Sequence, residues 1–89
     1  MNQQKPIKLT NGKSAYEWTS KEKPALNHWY LCIDSESDYW KIRKDFHCED
    51  DKTTYYKVVE YFNGEQLYTG KTLAQVREIM RDNTYRMVI

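Results

Sequence analysis

The chain has 89 residues, of which 39% are hydrophobic and 30% are charged, and its formal net charge is +1. This length suits one domain, and no apolar run is long enough for a transmembrane helix. The near-neutral charge gives no indication of a nucleic-acid partner by itself. We therefore expect residues 1–89 to form a single compact domain, with residues 1–6 flexible and the polar, proline-containing residues 19–27 in a loop.

The first hairpin signal is Asn11-Gly12, which lies between two short segments of alternating polarity. Asn and Gly tolerate the positive φ that both central positions of a two-residue type I′ turn require. Such a turn pairs Leu9 with Ser14 on one face, so that Ala15 points to the other, polar face. The pattern predicts a half-buried hairpin at the start of the domain.

Two further segments, residues 28–33 and 39–46, alternate between apolar and polar side chains and predict strands. In a regular strand, successive side chains point to opposite faces of the sheet. The second segment is therefore expected to place Trp40, Ile42 and Phe46 on one face.

The second hairpin signal is Asn63-Gly64, which joins residues 55–62 to residues 65–69. Both faces of this hairpin carry apolar side chains. This is typical of a strand whose two faces are both covered by other elements, or of a strand with an exposed aromatic surface. One face carries Val59, Tyr61 and Tyr68, and the other carries Tyr56, Val58, Phe62 and Leu67.

A helix is predicted over residues 73–82, because Thr72 and Gln75 have the spacing of a capping box. Its apolar stripe consists of Leu73, Val76, Ile79 and Met80. Residues 85–89 read as a short final strand. The predicted fold class is α+β: an antiparallel sheet of about five or six strands, built from Asn-Gly hairpins, with one C-terminal helix packed on it.

Catalysis finds no support, because only three glycines occur and neither a phosphate-binding loop nor a nucleophile elbow is present. We expect no catalytic residues and no cofactor. The four histidines and cysteines lack the spacing of a zinc site, so no metal is expected either. Two cysteines without an apolar leader predict a cytoplasmic protein with reduced thiols. The alternative is a secreted protein with one Cys32–Cys48 disulfide.

Eight tyrosines and three tryptophans exceed what the core of so short a chain hides, so some aromatic side chains are expected at the surface. Tyrosine, tryptophan and arginine dominate the energetics of protein interfaces. We therefore predict a module that binds a partner protein, with Tyr61 and Tyr68 as anchors and Lys57 at the rim. Replacing Tyr61 by alanine is expected to weaken binding and to cost little stability.

The alternative function is nucleic-acid binding by a sheet and a helix. Bases would stack on the face that carries Tyr55, Tyr61 and Tyr68 beside Lys57. Arg77 and Arg81, on the border of the apolar stripe of the helix, would add contacts to phosphates.

Two acidic turns are further candidates for a binding surface. They contain Asp34, Glu36 and Asp38 in the first turn and Glu49, Asp50 and Asp51 in the second. If both turns lay at one end of the sheet, they would form a common acidic patch.

Small binding domains of this kind include accessory or inhibitory proteins of mobile genetic elements such as phages. The abundance of lysine, asparagine and tyrosine is compatible with such an AT-rich origin. We expect a monomer or a weak homodimer that has a macromolecular partner and does not bind a membrane.

Overall fold

The computed structural model describes residues 6–9, 12–35 and 37–88. Within this part the chain forms seven strands and one helix. In chain order they are β1 (Ile7–Lys8), β2 (Ser14–Tyr16), β3 (Tyr30–Leu31), β4 (Tyr39–Cys48), β5 (Thr53–Glu60), β6 (Gln66–Lys71), α1 (Leu73–Asn83) and β7 (Arg86–Val88). The expected α+β class, with antiparallel strands and a C-terminal helix packed on them, is confirmed. Residues 1–5 and 10–11, Glu36 and Ile89 lie outside the described part. The prediction that residues 1–6 are flexible therefore falls almost entirely outside it, and so does Asn11 of the first predicted turn.

The strands divide into two sheets where the sequence predicts one. A three-stranded sheet has the order β1-β2-β7, and a four-stranded sheet has the order β3-β4-β5-β6. The two sheets meet where Tyr85 N donates to Leu31 O at 2.7 Å and Ile33 N donates to Asn83 O at 2.8 Å. An isolated antiparallel bridge between Cys32 and Thr84 lies between these two bonds. The strand predicted over residues 28–33 is shortened at both ends to β3, and Cys32 and Ile33 instead contact Thr84 and Asn83 at the end of α1.

The helix covers one face of the four-stranded sheet. It begins with the predicted capping box, in which Thr72 Oγ1 accepts from Gln75 N and Gln75 Oε1 accepts from Thr72 N. Val76 and Met80 are fully buried against a core cluster that contains Tyr30, Ile42 and Val58. Among the described residues, no helix is long and apolar enough to cross a membrane.

The predicted register of the first hairpin is wrong by one residue. Lys8 pairs with Ser14 and Ile7 pairs with Ala15, and the connection is longer than two residues. Leu9 N donates to Lys13 O at 3.0 Å across this longer connection. A slip of one residue exchanges the faces of a strand. Ala15 is consequently buried with Leu9 and Leu31 in a second, smaller core cluster.

A bulge in β4 overturns the prediction that Phe46 shares a face with Trp40 and Ile42. The pairing with β5 shifts between Lys44 and Phe46, so Asp45 is an extra residue on β4. Asp45 Oδ2 accepts from Gly70 N at 3.2 Å, which links the bulge to β6. Beyond the bulge the alternation is reversed, and Phe46 lies on the face opposite to that of Ile42.

The second hairpin has a longer turn than predicted. β5 ends at Glu60, and Glu60 N donates to Glu65 O at 3.0 Å across a four-residue connection. Val58 therefore pairs with Leu67, two residues earlier in β6 than a two-residue turn would place its partner. A shift of two residues preserves the faces of a strand, and Tyr56, Val58 and Leu67 share the face covered by the helix, as predicted. Phe62 was predicted on that face too, but it lies in the turn after β5 and contacts Tyr61 instead.

Candidate functional site

The face of the four-stranded sheet that is turned away from α1 is the strongest candidate for a binding surface, and we call it the open face. Residues directly opposite each other in an antiparallel pair share a face. The cross-strand pairs of β4 and β5 on the open face are, in order along the strands, Lys41–Val59, Arg43–Lys57 and Phe46–Tyr55. Three cations thus lie between aromatic side chains on a surface that the helix does not cover.

The centre of the open face carries two positive charges directly opposite each other. Arg43 is exposed, and its guanidinium has no hydrogen bond or ion pair among the residues that the structure describes. Lys57 Nζ donates to Gln66 Oε1 at 3.3 Å, which is a neutral partner. The two ion pairs found in the described part of the chain lie elsewhere, at Lys52–Glu49 and Arg86–Glu22.

One end of the open face is an aromatic cluster of Trp29, Tyr39, Tyr61 and Phe62. The Tyr61 ring centroid lies 5.0 Å from that of Trp29, 5.8 Å from that of Tyr39 and 5.5 Å from that of Phe62, in edge-to-face geometries. Lys41 Nζ lies 4.3 Å from the Trp29 ring centroid, a cation–π contact. Tyr61 and Phe62 remain 52% and 62% exposed, so the cluster is ordered by its own contacts and still accessible.

The other end of the open face is the ring pair of Phe46 and Tyr55. Their ring centroids are 5.0 Å apart with an interplanar angle of 31°. Tyr55 Oη donates to Asp51 Oδ2 at 2.5 Å. This hydrogen bond lowers the pKa of the Asp51 carboxyl and raises the pKa of the Tyr55 hydroxyl. A carboxylate therefore lies at the edge of this end of the face.

Tyr68 does not lie on the open face, which corrects the prediction that it shares a face with Val59 and Tyr61. The pairing of β5 with β6 shifts between Tyr56 and Val58, and Tyr68 itself has a φ of 41°. Positive φ is uncommon for an aromatic residue and here accompanies the bulge. The Tyr68 ring instead lies 5.9 Å from the ring of Trp40, which packs against the cluster under the helix.

The guanidinium groups of Arg77 and Arg81 form hydrogen bonds to the loop that consists of residues 19–27. Arg77 Nε donates to Pro24 O at 3.1 Å, and a terminal nitrogen of Arg81 donates to Thr19 O at 3.0 Å. These contacts tie the loop to α1, on the opposite side of the sheet from the open face. The two arginines therefore belong neither to the open face nor to one site with Lys57.

A cleft of about 1010 Å³ lies between α1 and the segment of residues 17–24. Trp18, Leu73 and Tyr85 line its apolar part. Its charged lining residues are three of each sign: Lys23, Arg77 and Arg81 against Glu17, Glu78 and Asp82. The formal charges of the lining side chains therefore sum to zero.

The two acidic turns do not form one patch. Asp34 and Asp38 precede β4, whereas Glu49, Asp50 and Asp51 follow it, and Glu36 lies outside the described residues. β4 has ten residues, so the turns are separated by roughly 30 Å at ~3.3 Å per residue. The expectation of a common acidic patch is therefore wrong.

The cysteines are free thiols in different surroundings. Cys32 is buried, and burial, reinforced by the Asp38 carboxylate, raises its pKa to about 12. A thiol in this state is inert as a nucleophile. Cys48 is partly exposed and is not joined to Cys32. No group of three or more histidine, cysteine or carboxylate side chains is placed to hold a metal ion in the part of the chain that is described.

The sequence interpretation missed six members of the open face: Trp29, Tyr39, Lys41, Arg43, Phe46 and Phe62. Alternation along residues 39–44 already places Lys41 and Arg43 opposite to Ile42, so these two were accessible to the same reasoning. Phe46 required knowledge of the bulge, and Trp29 lies before β3, in the part of the predicted strand over residues 28–33 that does not form a strand.

Comparisons with models of known protein families, with curated proteins and with solved structures gave no match to this chain.

Proposed function

We propose that this chain is a small, non-catalytic module that binds a partner protein through its open face. The observation that carries the proposal is the half-exposed state of the aromatic side chains at both ends of that face. Phe46 is 47% exposed, and Tyr61 and Phe62 are more exposed still. Ordered aromatic rings lose little conformational freedom on binding and contribute large contact areas, which is why they recur at interface hot spots.

The anchors differ from those that the sequence predicts. Tyr61 keeps its role as an anchor, whereas Lys57 lies at the centre of the face and not at its rim. Tyr68 is replaced by Phe46 and its neighbour Tyr55. The arginines of α1 have no part in this interface, since they lie on the other side of the sheet. Of the acidic turns, Asp51 lies at the edge of the interface, where it accepts from Tyr55 Oη.

The setting proposed for this module is the cytoplasm, as an accessory or inhibitory protein of a mobile genetic element. Support for the cytoplasm comes from Cys32 and Cys48, which are both free thiols. Support for the wider role comes from the small size and the residue usage of the chain. The protomer is proposed to act as a monomer or weak homodimer.

The test is a selection of short random peptides displayed on phage, with the protein immobilised through its N-terminus. Enriched peptides are expected to bind the wild type and to lose about tenfold in affinity on Phe46→Ala, a loss of ~1.4 kcal/mol. Lys44→Ala is the matched control, because Lys44 is exposed on the same strand but pairs with Tyr56 on the helix face.

Peptides that bind Phe46→Ala and Tyr61→Ala as tightly as the wild type would contradict the proposal. A loss confined to Glu78→Ala, which alters the cleft beside α1, would move the binding site to that cleft.

Nucleic-acid binding remains the second candidate, because three cations and several aromatic rings share the open face. Its test is fluorescence anisotropy of labelled single-stranded DNA, RNA and duplex DNA at low and near-physiological salt. Binding that survives physiological salt and weakens on Arg43→Gln would favour this candidate. Binding only at low salt would be the general attraction of surface cations for phosphates.

A further inference from the structure

The pair of Arg43 and Lys57 is an unfavourable arrangement in the isolated domain. Like charges directly opposite each other on one face of a sheet destabilise it. Lys41 adds a third positive charge two residues from Arg43 on the same face. No carboxylate neutralises these groups among the described residues, because the ion pairs there involve other side chains. An anion bound between Arg43 and Lys57 would relieve this repulsion.

Resting on the proposed function, we infer that the partner segment carries a carboxylate that binds between Arg43 and Lys57. Arginine presents a planar fork of donors that matches a carboxylate, and lysine adds a point charge. The aromatic cluster at one end and the ring pair at the other favour apolar side chains on either side of that carboxylate.

The spacing along the open face specifies the segment further. From Lys41 through Arg43 to Phe46 the face extends over five to six residues of β4, roughly 15 Å at ~3.3 Å per residue. An extended peptide places residues i, i+2 and i+4 on one side over about the same length. The inferred motif is therefore an apolar residue, a glutamate or aspartate two positions later, and an apolar residue two positions after that.

The open face fits a protein carboxylate better than a chain of phosphates. Lys41 already covers the ring of Trp29, and Phe46 packs on Tyr55, so the ring faces that bases would use are partly occupied. The Asp51 carboxylate at the ring-pair end would repel a phosphate backbone that continued past it. A single carboxylate between Arg43 and Lys57 avoids that repulsion.

The experiment compares two displayed peptide libraries that differ at one fixed position. One library has Glu at the centre, the other has Gln, and the flanking positions are randomised identically in both. On the wild-type protein, the Glu library is expected to be enriched about tenfold over the Gln library, the ratio given by ~1.4 kcal/mol. The preference is expected to disappear on the Arg43→Gln, Lys57→Gln double variant.

Lys44→Gln is the control, since it removes one positive charge from the opposite face of β4 and is expected to keep the full preference. Circular dichroism of each variant verifies that the fold is retained. A labelled deoxythymidine oligonucleotide is titrated in parallel against the same proteins.

Each outcome bears on a different claim. Equal enrichment of both libraries, lost on Phe46→Ala, would leave protein binding by the open face intact and refute the carboxylate. No enrichment of either library over a surface without protein would refute the proposed function and this inference together. Oligonucleotide binding that survives physiological salt, is weakened by the double variant and displaces the enriched peptides would assign the cations to phosphates instead.

Discussion

Truncation of Tyr61 tests whether the aromatic cluster on the open face exists as described. Tyr61 is 52% exposed, so about half of its side chain is removed from water by contacts with Trp29, Tyr39 and Phe62. A fully buried tyrosine removes about 150–250 Å², and half of that area at ~25 cal/mol per Å² corresponds to about 2–3 kcal/mol. Tyr61→Ala is therefore expected to lower the free energy of unfolding by about 2–3 kcal/mol, more than the sequence alone suggests.

The measurement is urea denaturation followed by far-UV circular dichroism at neutral pH. Tyr61→Phe is the matched control, because the Tyr61 hydroxyl makes no hydrogen bond among the described residues and the ring contacts are kept. This variant is expected to remain within ~0.5 kcal/mol of the wild type. A loss below ~0.5 kcal/mol for Tyr61→Ala would show that the cluster does not form in solution, and a loss above ~4 kcal/mol would show that Tyr61 is part of the core.

Three further predictions concern the helix and two titratable groups. Thr72→Ala removes the cap of α1 and is expected to cost about 1 kcal/mol, which lowers the midpoint of thermal unfolding by roughly 4–8 °C; an unchanged midpoint would contradict the capping box. The pKa of Cys32 is raised from 9.0 to about 12, so ionisation favours the unfolded chain above pH 9.0. The contribution of the protonated Cys32 thiol to stability is complete below pH 9.0 and falls by ~1.4 kcal/mol per pH unit as the pH rises toward about 12. Urea denaturation of the wild type and of Cys32→Ser over this pH range measures the difference between their free energies of unfolding. Equal losses in both proteins would refute this assignment. Tyr55→Phe removes the hydroxyl that donates to Asp51, so NMR titration is expected to show a higher pKa for the Asp51 carboxyl in the variant. In the wild type, the stability that this hydrogen bond contributes is present above the ordinary carboxyl pKa and is lost as the pH falls.

The sequence alone determined the elements whose signals are local. The capping box at Thr72 and the apolar stripe that follows it predict α1 within one residue of its observed end, because both depend only on contacts within one or two turns. Alternation likewise placed Tyr56, Val58 and Leu67 on one face of the second hairpin.

Only the tertiary structure decided the register of the strands and therefore the composition of the binding surface. The bulge at Asp45 is stabilised by a hydrogen bond to Gly70, 25 residues away, and no local pattern contains that partner. It moves Phe46 onto the open face, just as the bulge around Tyr68 moves that side chain off it. Side-chain alternation has a period of two, so one inserted residue exchanges the faces of everything beyond it. Residue types that favour binding can therefore be read from the sequence, whereas their assembly into one surface depends on contacts between distant strands.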